Sequence, residues 1–225
     1  MLRVLFIHGL ESGPTGQKVR TLRSAGFEVV SLQMPCGRRA VQRDPALWLG
    51  VMLMVAGIMA AGMIGPWWAA AVAAMAALLM LPLAPAALTR RMLQRSVAVQ
   101  RQALVAHQIV IVVGSSFGGA VCLALLQRAL WSGPTVLLCP AHQLVAQRAM
   151  MPVPAGLAAL PTLITAHVVV VHGRQDDIVP VAHSQTLVAG SSSTLVLVDD
   201  DHRLTATATE ANFKTWVAQA VTSKP

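Results

Sequence analysis

A serine, a pair of aspartates and a histidine stand in that order, each just past its own apolar run. Ser116 lies in "GSSFGG" after "IVIVV". Asp176 and Asp177 lie in "HGRQDDIVP" after "HVVVV", and His202 lies in "DDDHR" after "STLVLV". A serine hydroxyl is a weak nucleophile until a base takes its proton, and a histidine serves as that base when a carboxylate holds its tautomer. The three residue types together suit acyl transfer. Gly114 and Gly118 flank Ser116 at two residues on either side. A tight strand-to-helix turn that lifts a hydroxyl clear of a sheet requires that pattern, because the serine is strained and its neighbours must be small. Either Asp176 or Asp177 can be the acid, the other capping the helix that starts near Pro180. Asp199, Asp200 and Asp201 directly precede His202. Pointed at the ring they would strengthen its hold on a proton, and one of them could replace the acid; otherwise they face solvent.

The developing oxyanion of such a reaction needs two backbone N–H groups. Phe117, the residue after the serine, supplies one. Leu10, in the glycine-rich "HGLESG" loop after the first apolar run, supplies the other. His8 and Gly9 precede it, Gly9 giving the loop its turn and His8 serving as a structural hydrogen-bonder rather than a base. Residues 140–165 are expected to form part of a substrate wall, with His142 a loop histidine without a role. No metal-ligand cluster is evident, and the proposed chemistry calls for no cofactor.

The elements that must hold these residues alternate. Apolar runs at 2–8, 27–35, 109–114, 134–140, 167–173 and 193–199 read as strands, the continuous ones as buried strands of a parallel sheet. Helical stretches fall between them, the first closed by Gly26. Strand and helix alternating with short connections imply an α/β chain: a doubly wound, mainly parallel sheet of about six strands with helices on both faces. In such sheets chemistry gathers beyond the carboxyl ends of the strands, where all four motifs fall.

The motifs "FIHG" (6–9), "GSSFGG" (114–119), "HGRQDDIVP" (172–180) and "DDDHR" (199–203), in this order, resemble those of the α/β-hydrolase fold superfamily, in particular its compact serine esterase-like members. The resemblance covers residues 1–45 and 89–225. It implies the α/β-hydrolase fold, a nucleophile elbow at Ser116, Asp176 rather than Asp177 as the acid, and His202 as the base. The first loop lacks the glycine triplet of the lipase group, so a plain Leu10 amide is the expected oxyanion donor. The implied activity is hydrolysis of a small-molecule acyl ester, expected to be lipid-like or amphiphilic, with a thioesterase or an amidase using the same residues as alternatives. A third reading is a non-catalytic binding module on this fold.

One segment does not belong to that picture. Between Asp44 and Arg90 the chain carries no Asp, Glu, Lys or Arg, and this block raises the hydrophobic share to 55% and the mean hydropathy to +0.62. The net charge of +8 draws on arginines at its two ends, Arg38, Arg39 and Arg43 before it and Arg90, Arg91, Arg95 and Arg101 after it. No aromatic-interleaved basic patch or zinc pattern supports nucleic-acid binding. Arginine flanks around an apolar segment suit lipid headgroups. Residues 46–88 are therefore expected to be an inserted hydrophobic helical hairpin, with spans at 47–64 and 67–88 divided by Gly65-Pro66. It would anchor the protein in a lipid bilayer, a bacterial inner membrane in particular, with residues 1–45 and 89–225 on the cytoplasmic face. A hairpin that dips into the bilayer without crossing, and a soluble lid or dimerisation pair, are the alternatives. The start "MLRVLFIHG" is too short an apolar run for a signal peptide and leads straight into a motif. Cys36, Cys122 and Cys139 show no paired spacing, and Cys122 and Cys139 lie in apolar runs that suit buried thiols.

Overall fold

Each apolar run becomes a strand because both of its faces are covered. In a computed structural model describing residues 1–10, 12–36, 45–80, 83–165 and 167–222, six parallel strands form one sheet in the order β2-β1-β3-β4-β5-β6. They are β1 (Arg3–Ile7), β2 (Glu28–Val30), β3 (Ile111–Ser115), β4 (Thr135–Leu138), β5 (Val168–Gly173) and β6 (Thr194–Val198). β3, β4 and β5 are buried throughout, as the unbroken apolar runs require. β2 is shorter than the 27–35 run, because after Val30 the chain leaves the edge of β1.

The helices are α1 (Gln17–Ser24), α2 (Pro45–Ile64), α3 (Trp67–Met80), α4 (Leu83–Ala106), α5 (Phe117–Gln127), α6 (His142–Arg148), α7 (Thr162–Thr165), α8 (Val181–Val188) and α9 (Glu210–Thr222). Two cores result, one on each side of the sheet. The first joins Leu5, Ile7, Val112 and Leu137 to Leu93 and Val97 of α4 and to α5. The second joins Val4, Phe6, Val113 and Val171 to Leu22 of α1 and to Phe213 and Trp216 of α9. Gly26 closes α1 at φ 91°, a left-handed angle that glycine adopts at little cost. Cys36, Cys122 and Cys139 are free and buried.

The expected crossing of a membrane is not met. No single helix among the described residues is long and apolar enough to span one. The apolar part of α2, Trp48–Ile64, stops short of the roughly 20 residues that a crossing needs. α3 has only 14 residues, about 21 Å. The expected second span, 67–88, is divided. Its last residues belong to α4, which starts at Leu83 and runs on to Ala106 as one helix. Pro85 does not stop α4, because in a first turn its missing N–H leaves no bond unmade. Among the described residues, by length and composition, only the bent pair Trp68–Leu78 and Leu83–Ala106, at 45° to each other, could reach across. The expected boundary at 88 thus falls inside a helix. Arg38, Arg39, Arg43 and Pro82 lie outside the described residues. α2 and α3 do pack together as a pair: a Cβ added to Gly62 would lie 3.5 Å from Ala70 Cβ, and one on Gly65 would lie 2.9 Å from Ala69 Cβ.

Candidate active site

Ser116 stands between β3 and α5, as the N-cap of α5, with φ 55° and ψ −115°. A left-handed angle at a serine costs of order 1–3 kcal/mol and persists only where surrounding bonds over-determine it. They do so here. Its N–H donates to the Leu138 carbonyl at 2.8 Å, and its carbonyl accepts from Gly119 at 2.9 Å and from Ala141 at 3.1 Å. The glycine pattern has the expected steric cause. A Cβ at Gly118 would run into the Ile7 carbonyl, and one at Gly114 would run into Cys122 Sγ. Ser116 holds the N-cap position of α5, yet its hydroxyl makes no capping bond.

That hydroxyl instead meets His202. Ser116 Oγ lies 2.9 Å from His202 Nε2, and His202 Nδ1 lies 2.7 Å from Asp176 Oδ2. The serine, acid and histidine expected from three separate strand ends are therefore brought together as one hydrogen-bonded chain. Asp177, the fallback acid, is exposed and outside it. Asp176 Oδ2 has no exposure, and its other oxygen, Oδ1, accepts from the Ile178 N–H at 2.9 Å and the Val179 N–H at 2.7 Å. Burial alone would push this carboxyl up. Hydrogen bonds from His172, His202 and Val179 outweigh burial and hold it far below the ordinary carboxylate range.

The three acids before His202 do not face its ring. Asp199 is exposed and pairs with Arg174 at 3.3 Å. Asp200 is 8% exposed, and its Oδ2 accepts from the Ala206 N–H, the Thr207 N–H and the Thr207 hydroxyl. Asp201 Oδ1 accepts from the Arg203 and Leu204 N–H groups. Asp200 and Asp201 thus build the loop that carries His202. Gly173 seats that loop on the sheet: a Cβ there would collide with the Asp200 carbonyl, whose oxygen also accepts from Gln175 at 3.1 Å.

The β1 loop runs beside the serine. A Cβ on Gly9 would lie 3.3 Å from Ser116 Cβ, and the Gly9 N–H is held by Ser12 Oγ at 3.1 Å. His8 is buried; its Nδ1 contacts the Gly9 carbonyl at 2.8 Å and its Nε2 accepts from the Met34 N–H at 3.3 Å. Both ring nitrogens are thus engaged with the backbone. Phe117 opens α5, so its N–H has no partner within the helix. Neither it nor the Leu10 N–H is hydrogen-bonded among the described residues.

His142 is buried, with Nδ1 3.1 Å from the Pro140 carbonyl, and burial pushes it down to about 4. Cys139 Sγ lies with single atoms of Asp176 and His202 within 4.8 Å of one another. Three such donors can hold a metal, but these do not suit one. Burial pushes the thiol up to about 12, and the facing atoms of Asp176 and His202 are bonded to each other.

These ionisations predict two stages of acid sensitivity. His142 is lowered in the fold, so the unfolded chain takes its proton first; stability falls as pH drops from about 6.5 toward about 4. Asp176 and Asp200 are also lowered, so what they contribute is present above the unfolded carboxyl value of about 3.9 and is lost below it. Thermal melts from pH 7 to pH 2 should show both stages, and His142→Gln should shrink the upper one, leaving the part contributed by His183, which burial also lowers. A melting temperature flat from pH 6.5 to pH 4 in the wild-type protein would refute the His142 assignment.

The chain matches no protein-family model and no curated protein sequence. Its likeness is to solved structures. The ydeN gene product of B. subtilis superposes with a TM-score of 0.57 at 14% identity, over 96% of this chain and 98% of that one. A candidate hydrolase of the alpha/beta superfamily from Xanthomonas campestris pv. campestris gives 0.54 at 20% identity, over 96% of each chain. Est1E from Butyrivibrio proteoclasticus, solved with ferulic acid bound, gives 0.51 at 13% identity, over 98% of this chain and 87% of that one. At these identities the likeness is one of fold, and that fold is the α/β-hydrolase fold.

Proposed function

We propose that this chain is a serine hydrolase that cleaves small-molecule carboxylic esters. The observation that carries the reading is the 2.9 Å and 2.7 Å chain from Ser116 through His202 to Asp176, set on a strained turn. His202 Nε2 takes the Ser116 proton as Oγ attacks the carbonyl carbon. The Leu10 and Phe117 amides receive the oxyanion. His202 returns the proton to the leaving alcohol, and water repeats the attack on the acyl-enzyme. Asp176 keeps Nδ1 protonated, so that Nε2 is free to accept. Ferulic acid, the ligand of Est1E, is a carboxylic acid, the class released as the acyl half of an ester.

The substrate class we favour is amphiphilic, and the partner is a lipid surface met by α2 and α3 without a crossing. Support comes from exposure on all faces of the pair: Trp48, Leu49, Met52, Leu53 and Met59 on α2, and Trp68, Val72 and Met75 on α3, are exposed. The tip is the most exposed, with Met63 at 83% and Ile64 at 90%. A protein partner would cover one side of the pair; lipid covers every side. The chain leaves for this pair from the wall of the site, since the Met34 N–H is held by His8 beside Gly9 and Ser116.

The test of the chemistry is labelling by a serine-reactive fluorophosphonate, followed by an ester, thioester and amide panel of equal acyl length. Release of acid from the amide or thioester alone would replace the ester reading. For the surface, the protein should sediment with vesicles of anionic and zwitterionic lipid. A deletion of 46–82 should lose most of that binding while still hydrolysing a short soluble ester. Equal vesicle binding by the deletion and the full chain would refute the lipid role.

A further inference from the structure

Asp176 is supported from behind by a second histidine that the proposed reaction does not use. His172 lies at the end of β5 with no exposure. Its Nε2 is 2.9 Å from the Val179 carbonyl and 3.1 Å from Asp176 Oδ2. A carbonyl can only accept, so Nε2 carries a hydrogen, shared between the two oxygens with Val179 the nearer. Its Nδ1 lies 2.7 Å from the hydroxyl of Ser184, which is also fully buried. The Val179 N–H in turn donates to Asp176 Oδ1 at 2.7 Å. A closed loop results: His172 holds the Val179 carbonyl and one carboxylate oxygen, and Val179 holds the other oxygen.

We infer that His172 is a positioning residue for Asp176, and that the Ser184 hydroxyl sets its orientation from α8. The inference rests on the proposed reading of Asp176 as the partner of His202. Two imidazoles face the same oxygen, Oδ2: His202 at 2.7 Å and His172 at 3.1 Å. The shared N–H draws charge from Oδ2 and fixes the plane of the carboxylate. Without it, Asp176 becomes a stronger acceptor for His202 and a less well-aimed one. Burying polar groups at this depth is costly unless each is bonded, and every polar atom of this loop is bonded. Other titratable groups surround it and enter any pH measurement. Cys139 approaches Asp176 from the end of β4, and Lys18 of α1 lies beyond Cys139. His142 of α6 and His183 of α8 are near enough to His172 to couple with it electrostatically.

The experiment is an NMR titration of the His202 ring in the wild type, in His172→Phe and in Ser184→Ala, with fluorophosphonate labelling rates measured on the same samples. In His172→Phe the midpoint of the His202 titration is expected to move up by about half a pH unit or more, because the carboxylate that faces the imidazolium is no longer shared. The labelling rate should fall about tenfold. Ser184→Ala should move both in the same direction and by less, and it decides the matter if His172→Phe does not fold. A purely structural role would lower the melting temperature and leave the midpoint in place. An unmoved midpoint in the folded variants overturns the inference. A wild-type protein that is never labelled overturns the hydrolase reading, and the NMR midpoints still decide the role of His172.

Discussion

Ser116→Ala is expected to abolish fluorophosphonate labelling and to lower kcat for ester hydrolysis by about 10⁴–10⁶, with KM little changed. Among the described residues, loss of the hydroxyl removes the one atom bonded to His202 Nε2 from which an acyl-enzyme can form. The fold should survive. The Ser116 N–H and carbonyl bonds to Leu138, Gly119 and Ala141 are made by the backbone, and the hydroxyl caps nothing in α5. Alanine is no better suited than serine to φ 55°, so the strain stays about the same. Intact-mass measurement after labelling, beside a melting curve of the variant, separates a lost nucleophile from a lost fold. A variant that still labels at one site would move the nucleophile elsewhere. Ser115, the neighbouring hydroxyl in "GSSFGG", would be the first residue to test.

The sequence makes the reacting set legible because each member follows a strand, and strand ends in a parallel sheet converge on one edge. Ser116 and His202 needed only the order of elements to be predicted as neighbours, Gly114 and Gly118 carried the turn in their size, and the choice of Asp176 over Asp177 came from the family resemblance alone. What was not legible depends on turns. Asp200 and Asp201 stand beside His202 in the chain, yet their carboxylates turn back to the Ala206, Thr207, Arg203 and Leu204 amides. Proximity in sequence says nothing of such directions. His172 was hidden for a related reason. It opens the motif "HGRQDDIVP" directly after "HVVVV", but only the turn at 176–179 brings a carboxylate to within 3.1 Å of it. Ser184 gives no signal at all, being one polar residue on a short helix. For the apolar block, Gly65-Pro66 marks the first break, where the helices do part, but nothing in the composition marks the second. A restart at Leu83 is enough to turn an expected span of 67–88 into a 14-residue helix and the first turns of another.

Asp176→Asn should cost about 10⁴ in kcat while the shape of the side chain hardly changes. The reason lies in the donors around the carboxylate. Oδ1 accepts two backbone N–H groups, from Ile178 and Val179, and Oδ2 faces the nitrogens of His202 and His172. An asparagine has one acceptor oxygen. Placed at Oδ1 it keeps the two backbone bonds and turns its NH2 toward His202, where donor meets donor. The ring must then give up the proton on Nδ1 and carry it on Nε2, which can no longer accept from Ser116. Placed the other way, the NH2 faces the Ile178 and Val179 amides, and the turn that carries residue 176 loses both bonds. The first arrangement gives a folded protein with the wrong tautomer, and the second an unstable one. Steady-state rates on a soluble ester, with a melting temperature for each variant, distinguish them. Asp177→Asn is the matched control: that carboxylate is exposed, outside the hydrogen-bonded chain, and its loss should leave the rate within about twofold. If the two results were reversed, Asp177 would be the acid and the 2.7 Å contact between His202 and Asp176 would have no part in the reaction.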